Sequence, residues 1–238
     1  MSNLNKKIYA KIDEWRHRRI EGDHPYVFLD GIVMKRSWAG EVRNVSLLVA
    51  IGVTTDGYRE ILGIVEGPKE DKSGWSAFLR HLVDRGLSGV QLIVSDACRG
   101  LVESASEFLP DARWQRCVVH FYRNVFSLVP SGKVREVSKM LKAIHAQEDR
   151  KAAAEKMQAV IAELRAQRLA KAAELLEERG HETLTYYGFP DSHWIKLRTN
   201  NPLVHPQVHE HDPAVHGSNP RSRRRVPWTT ASISARCW

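Results

Sequence analysis

Cysteine is scarce in this chain. Its 238 residues hold three, Cys98, Cys117 and Cys237, too few and too scattered for a disulfide framework, so a reducing compartment is the expectation. Long apolar runs are missing too. No stretch approaches the roughly 18 apolar residues of a spanning helix, which excludes a membrane protein. The opening MSNLNKKIYAKIDEW has no apolar core and does not read as a secretory signal. A sustained heptad is absent, which argues against a long coiled coil. What is abundant is positive charge. A net charge of +8 and a pI near 9.5 favour a polyanionic partner such as nucleic acid. A hydrophobic content of 42% suits an ordinary globular core, enough for one large domain or two small ones.

Periodicity divides the chain. Residues 3–20 read as a packing helix, with Leu4, Ile8, Ile12 and Trp15 on one face and Lys and Arg on the other. Three strands follow, over 26–35, 43–54 and 58–66, and Thr55-Asp56-Gly57 marks the second turn. A helix over 71–85 carries the stripe Trp75, Phe78, Leu79, Leu82, with Gly86 where a C-terminal cap belongs. A fourth strand over 90–95, a helix over 99–108, a fifth strand over 112–116 and a helix over about 118–128 complete this part. From Lys133 to Arg179 strand signals vanish, and two or three helices that pack on each other are expected. Residues 182–203 return to an aromatic, globular texture. After Leu203 the chain turns rich in histidine and proline, loses all periodicity and reads as disordered. The expected units are an N-terminal helix (1–24), an α/β core (25–130), a helical insertion (131–181), the start of a last core segment (182–203) and the tail (204–238).

Two aspartates draw attention. Asp30 ends the apolar run Tyr26-Val27-Phe28-Leu29, and Asp96 follows the fourth strand. In a mixed sheet of the ribonuclease-H-like type, strands one and four are neighbours, so these residues would meet at one edge. Paired carboxylates suit a hard cation such as Mg2+ or Mn2+, which takes one or two of them plus water and phosphate oxygens. The competing reading makes Asp30 a turn residue and Asp96 a helix cap. Cys117-x-x-His120 has the spacing of half a zinc site, or else is a buried cysteine beside a structural histidine. Arg116, Arg123, Lys196 and Arg198 are candidate phosphate contacts, and Trp194 a candidate base-stacking platform, each against a plain packing or solvent role.

The segments DGIVMKRSW, VAIGVTTDGYREILGIVEG, SGWSAFLRHLVDRGLSGVQLIVSD, WQRCVVHFYRNV and HWIKLRTNNPL resemble the mutator-type family of bacterial insertion-sequence transposases. The likeness runs from about residue 6 to residue 203. It implies a DDE-type transposase with a ribonuclease-H-like core and an all-helical insertion. Asp30 and Asp96 match the first two catalytic acids by position. The implied activity is magnesium-dependent cleavage at transposon ends, followed by strand transfer of the freed 3′ hydroxyl into target DNA. The implied partners are double-stranded DNA and further copies of transposase, in the bacterial cytoplasm and on the nucleoid.

The chain also departs from the family. There, Asn-Pro-Leu runs directly into Glu-Arg, whose glutamate is the third catalytic acid. Here Val204, His205 and Pro206 follow Leu203, and Glu210 stands between Pro206 and Pro213, where a helix is not expected. The expectation is therefore a fragment truncated at both ends, with a frameshifted tail and a defective site. The rival functions are a non-catalytic remnant that binds DNA or full-length transposase as a competitor, and an inert pseudogene product.

Overall fold

A computed structural model describes residues 3–38, 41–67, 71–200 and 226–227. The disorder expected for 204–238 concerns residues that, apart from 226–227, lie outside the described ones, as do Val204, His205 and Glu210. The chain opens with helix α1 (Asn3–His17). Strands β1 (Tyr26–Trp38), β2 (Glu41–Val53) and β3 (Tyr58–Gly67) then form an antiparallel meander. Gly57, at φ 78°, makes the β2–β3 turn, as the Asp-Gly pair foretells. Helix α2 (Lys72–Asp84) leads to β4 (Leu92–Ser95), and α3 (Arg99–Phe108) to β5 (Arg113–Arg116). Both strands lie parallel to β1, giving the order β5-β4-β1-β2-β3, and a two-residue β6 (Val226–Pro227) pairs with β3.

Side-chain alternation along the central strands serves two cores. Val27, Leu29 and Ile93 face α2 and α3, where Trp75, Phe78, Leu79 and Leu82 are all within 2% of full burial. Each such side chain contributes about 1.5–3 kcal/mol by leaving water. Tyr26, Phe28, Leu92 and Val94 face the other way, into the core shared with the remaining helices. Helix α2 starts where the Asp71 carboxylate accepts from Gly74 N–H at 2.9 Å. It ends at Gly86, whose φ of 101° and close approach to the Ile20 carbonyl exclude a side chain.

After β5, α4 (Val118–Phe126) turns into the helical insertion α5 (Val134–Ile144), α6 (Arg150–Ala166) and α7 (Ala170–Arg179). The chain returns through short 3-10 turns to α8 (Trp194–Leu197). Gln115 anchors this return. Its amide donates to the carbonyls of Arg116 and Thr183, and its oxygen accepts from Tyr186 N–H at 2.9 Å.

The packing expectation for α1 needs correction. Ile8 and Ile12 remain 47% and 40% exposed, while Trp15 is half-buried with the Arg18 guanidinium over its ring. The end of α1 meets the body, where a His81 ring nitrogen lies 3.2 Å from the Arg16 carbonyl. Amphipathic spacing forecasts a helix, but which surface covers its face is a tertiary matter.

Candidate active site

The site is built on the β1–β4 pairing. Their parallel register runs Tyr26–Leu92, Val27–Ile93, Phe28–Val94. The paired register ends there; Asp30 stands two residues beyond Phe28 in β1 and Asp96 two beyond Val94, just past the carboxyl end of β4. Asp30 is 7% exposed, while Asp96 is half-buried. An Asp96 carboxylate oxygen accepts from Cys98 N–H at 3.3 Å, so part of the capping role is present. A carboxylate has about four lone-pair sites, and one long bond leaves it able to bind a cation.

The start of α4 closes over this edge. Cys117 N–H donates to the Ser95 carbonyl at 2.7 Å, and Val118 N–H to the Arg198 carbonyl at 2.9 Å. Asn200, 1% exposed, donates its side-chain amide to the Leu29 carbonyl at 3.4 Å. The end of the described chain is thus fastened beside Asp30.

Cys117 is fully buried, and burial pushes its thiol up. The backbone N–H groups of His120, Asn200 and Val119 oppose this, and the charge of Asp30 adds to it. Among the described residues, no three His, Cys, Asp or Glu side chains gather around a metal-sized space. The full burial of Cys117 accords with the buried-cysteine reading of Cys117 and His120. His120 is half-buried. Burial lowers its pKa, the Asp96 charge raises it and Arg123 lowers it, and its Nδ1 has no hydrogen-bond partner. A pair of carboxylates suits magnesium, which keeps water and substrate oxygens in its shell. Asp30 and Asp96 are the residues that would hold it.

The cationic candidates separate. Arg123 is exposed on α4, next to His120. Arg116 is not available to a phosphate: it is 7% exposed, pairs with Glu182 at 2.9 Å and lies over the Phe121 ring. Arg198 lies over the Tyr186 ring with its Nε buried and unpartnered. Lys196 is half-buried, and its pKa is lowered by burial and then by nearby Arg59. Trp194 packs edge-on against Tyr186 and Tyr187 and donates to the Phe189 carbonyl at 2.7 Å, which favours the packing role. His193 meets the Tyr26 hydroxyl at 2.9 Å. Sequence reasoning missed Asn200 and Glu182. Asn200 stands inside the LRTNNPL segment, whereas Glu182, 66 positions from its partner, carries no local signal.

Comparison with known proteins agrees with the sequence. The family described as Transposase, Mutator family, matches residues 1–205. The transposase for insertion sequence element IS1081 of Mycobacterium tuberculosis is 38% identical over 204 residues, 85% of this chain and 49% of that protein. The transposase for IS406 of Burkholderia multivorans is 36% identical over 82% of this chain and 51% of its own length. That for ISRM5 of Rhizobium meliloti is 32% identical over 85% and 51%. The chain spans about half the length of these curated relatives. A chain in a simian T-cell lymphotropic virus intasome complex with a PP2A regulatory subunit overlaps 56% of this one, at 14% identity and a TM-score of 0.27, too loose a likeness to argue from.

Proposed function

The chain belongs to the Mutator family of transposases, and from that premise we propose that it is the catalytic-core region of a DDE-type enzyme of DNA transposition. The reading is supported by the parallel β1–β4 pairing, which lays the strand that holds Asp30 beside the strand that Asp96 follows. The strand order β5-β4-β1-β2-β3, with helices on both faces, supports a ribonuclease-H-like core. The substrate class is duplex DNA at transposon ends and targets.

Asp30 and Asp96 act as acceptors that bind and orient a divalent cation, magnesium or manganese. When bound, that cation supplies charge stabilisation for the oxygens of an in-line phosphoryl displacement. The low exposure of Asp30 restricts water there and strengthens its field. Asn200 and the buried Cys117 hold the surrounding backbone in place. His120 lies within electrostatic reach of Asp96.

Val204, His205 and Pro206 stand where the family pattern has its Glu-Arg, so this copy lacks a third carboxylate at that point. Its own strand cleavage is therefore weak or absent. A chain that binds DNA without cutting it would compete with intact transposase, and the missing acid favours that second role. The deciding test is Mn2+ binding by calorimetry. Binding is expected in the wild type and lost in both Asp30→Asn and Asp96→Asn. Equal binding in all three would overturn the site. Magnesium-dependent nicking by the wild type, abolished by Asp30→Asn, would overturn the defect and keep the chemistry.

A further inference from the structure

The α4–α5 hairpin is basic. Between Val118 and Gln147 stand Arg123, Lys133, Arg135, Lys139 and Lys142 against the single acid Glu136, a net +4 that residues 1–20 also carry. What marks the hairpin is where its charges stand. On α5, Val137, Leu141 and Ile144 are buried, and Arg135, Lys139 and Lys142 form the exposed stripe at i, i+4 and i+7. Glu136 points along another flank, where it accepts from Gln167 at 2.7 Å. Helix α4 contains no acid.

The two helices pack antiparallel. The Tyr122 hydroxyl donates to the Leu141 carbonyl at 2.8 Å and the Tyr122 ring meets His145, while Val129 and Val137 share the core near the turn. Because the inward stripes share one core, the outward stripes form one surface. His120 lies within electrostatic reach of Asp96 and of Arg123, and Arg123 and the α5 stripe are both exposed.

We infer that this outward face of the α4–α5 hairpin, carrying Arg123, Arg135, Lys139 and Lys142, is a track for the phosphate backbone of duplex DNA leading to the two-aspartate edge. The inference rests on the reading of the protein as a DNA transposase. The helical insertion then positions substrate as well as packing on itself. From Arg135 to Lys142 the helix rises about 10 Å, at ~1.5 Å per residue. That matches about three phosphates of one strand, at ~3.4 Å each. Such contacts fix register without reading sequence.

The test is fluorescence anisotropy on a labelled duplex, across a salt series, with the full chain. Arg135→Glu/Lys139→Glu is compared with Lys151→Glu/Lys171→Glu, an equal charge reversal on exposed positions of α6 and α7. All four residues are exposed, and circular dichroism verifies folding. The α5 double is expected to weaken binding tenfold or more. It also flattens the slope of log affinity against log salt by about 2, at ~0.9 per lost phosphate contact. The control changes each far less. Equal losses in both doubles, an unchanged slope, or a wild type that does not bind duplex would overturn the track. Loss of Mn2+ binding at Asp30 and Asp96 with the track intact would overturn only the catalytic reading.

Discussion

Asn200 donates its side-chain amide to the carbonyl of Leu29, the residue before Asp30, across 171 positions of chain. The contact ties the end of the α8 segment to the strand that carries the first carboxylate. Asn200→Ala leaves a buried carbonyl without this donor and opens a small void. The expected loss is about 1–3 kcal/mol, or roughly 2–4 °C in Tm per kcal/mol for a chain of this size. Asn200→Asp sets a second carboxylate against Leu29 and Asp30 and costs more. Thermal unfolding followed by circular dichroism ranks the two. A fully stable Asn200→Asp would contradict the burial argument.

Arg116 and Glu182 form an ion pair at 2.9 Å whose side chains are 8% and 14% exposed. Breaking such a pair from one side strands a charge and costs about 3–5 kcal/mol. Arg116→Ala is therefore expected to lower the urea midpoint strongly. Glu182→Gln costs less, because it keeps hydrogen-bonding capacity. Removing both together costs less than the two losses added, because neither charge is then stranded. DNA affinity at fixed salt should hardly change in Arg116→Lys, since this arginine faces the protein. A loss of affinity there without loss of stability would return Arg116 to the phosphate contacts.

Much of this architecture is legible in the residues. The stripe of α2, Gly86 and the Asp-Gly turn each encode a local decision, and the structure follows them within a few residues. The contacts between segments are not legible in this way. Nothing local says that Glu182 pairs with Arg116 or that Asn200 reaches Leu29. Ile8 and Ile12 show the limit in the other direction, since their spacing gives a helix but not what it packs on. Asp30 and Asp96 stand between these cases. Asp30 reads as an acid after an apolar run and Asp96 as one after the fourth strand, but that β4 crosses over to lie beside β1 is a tertiary fact.

His145 supplies a pH signature. It is 4% exposed, and burial together with the Arg198 charge pushes its pKa down to about 3. An unfolded histidine titrates near 6.5, so the folded value is depressed. Its contribution to stability is complete above about pH 6.5 and falls as protons bind the unfolded chain first. The slope is at most about 1.4 kcal/mol per pH unit down to pH ~3. His120 and His193, also lowered chiefly by burial, act in the same direction. Urea unfolding at pH 8, 6 and 5 should show a steep decline that is reduced in His145→Phe. Identical slopes in the two proteins would exclude His145 as the source.

Divalent cations should stabilise the fold through Asp30 and Asp96. For a site with a Kd of about 1 mM, 10 mM Mg2+ adds about 1.4 kcal/mol, which is roughly 3–6 °C in Tm. The shift is expected in the wild type and absent in Asp30→Asn and Asp96→Asn. NaCl at matched ionic strength separates site binding from screening. A shift that survives both substitutions would place the cation elsewhere.

Restoring the acid tests the defect directly. In Val204→Glu/His205→Arg the residues after Leu203 again read Glu-Arg, as in the family pattern. If the missing carboxylate alone limits the chemistry, magnesium-dependent nicking of a transposon-end duplex rises above the wild type. Asp30→Asn then removes it. Duplex affinity should change little, because neither substitution touches Arg123, Arg135, Lys139 or Lys142. Removing a donor or charge stabiliser at a reacting centre commonly costs about 100-fold to 1,000-fold in rate, so a gain of that order is the scale to expect. If nicking stays at background while the two aspartates still bind Mn2+, the defect lies beyond the third acid. The segment after residue 206 would then be the next to replace.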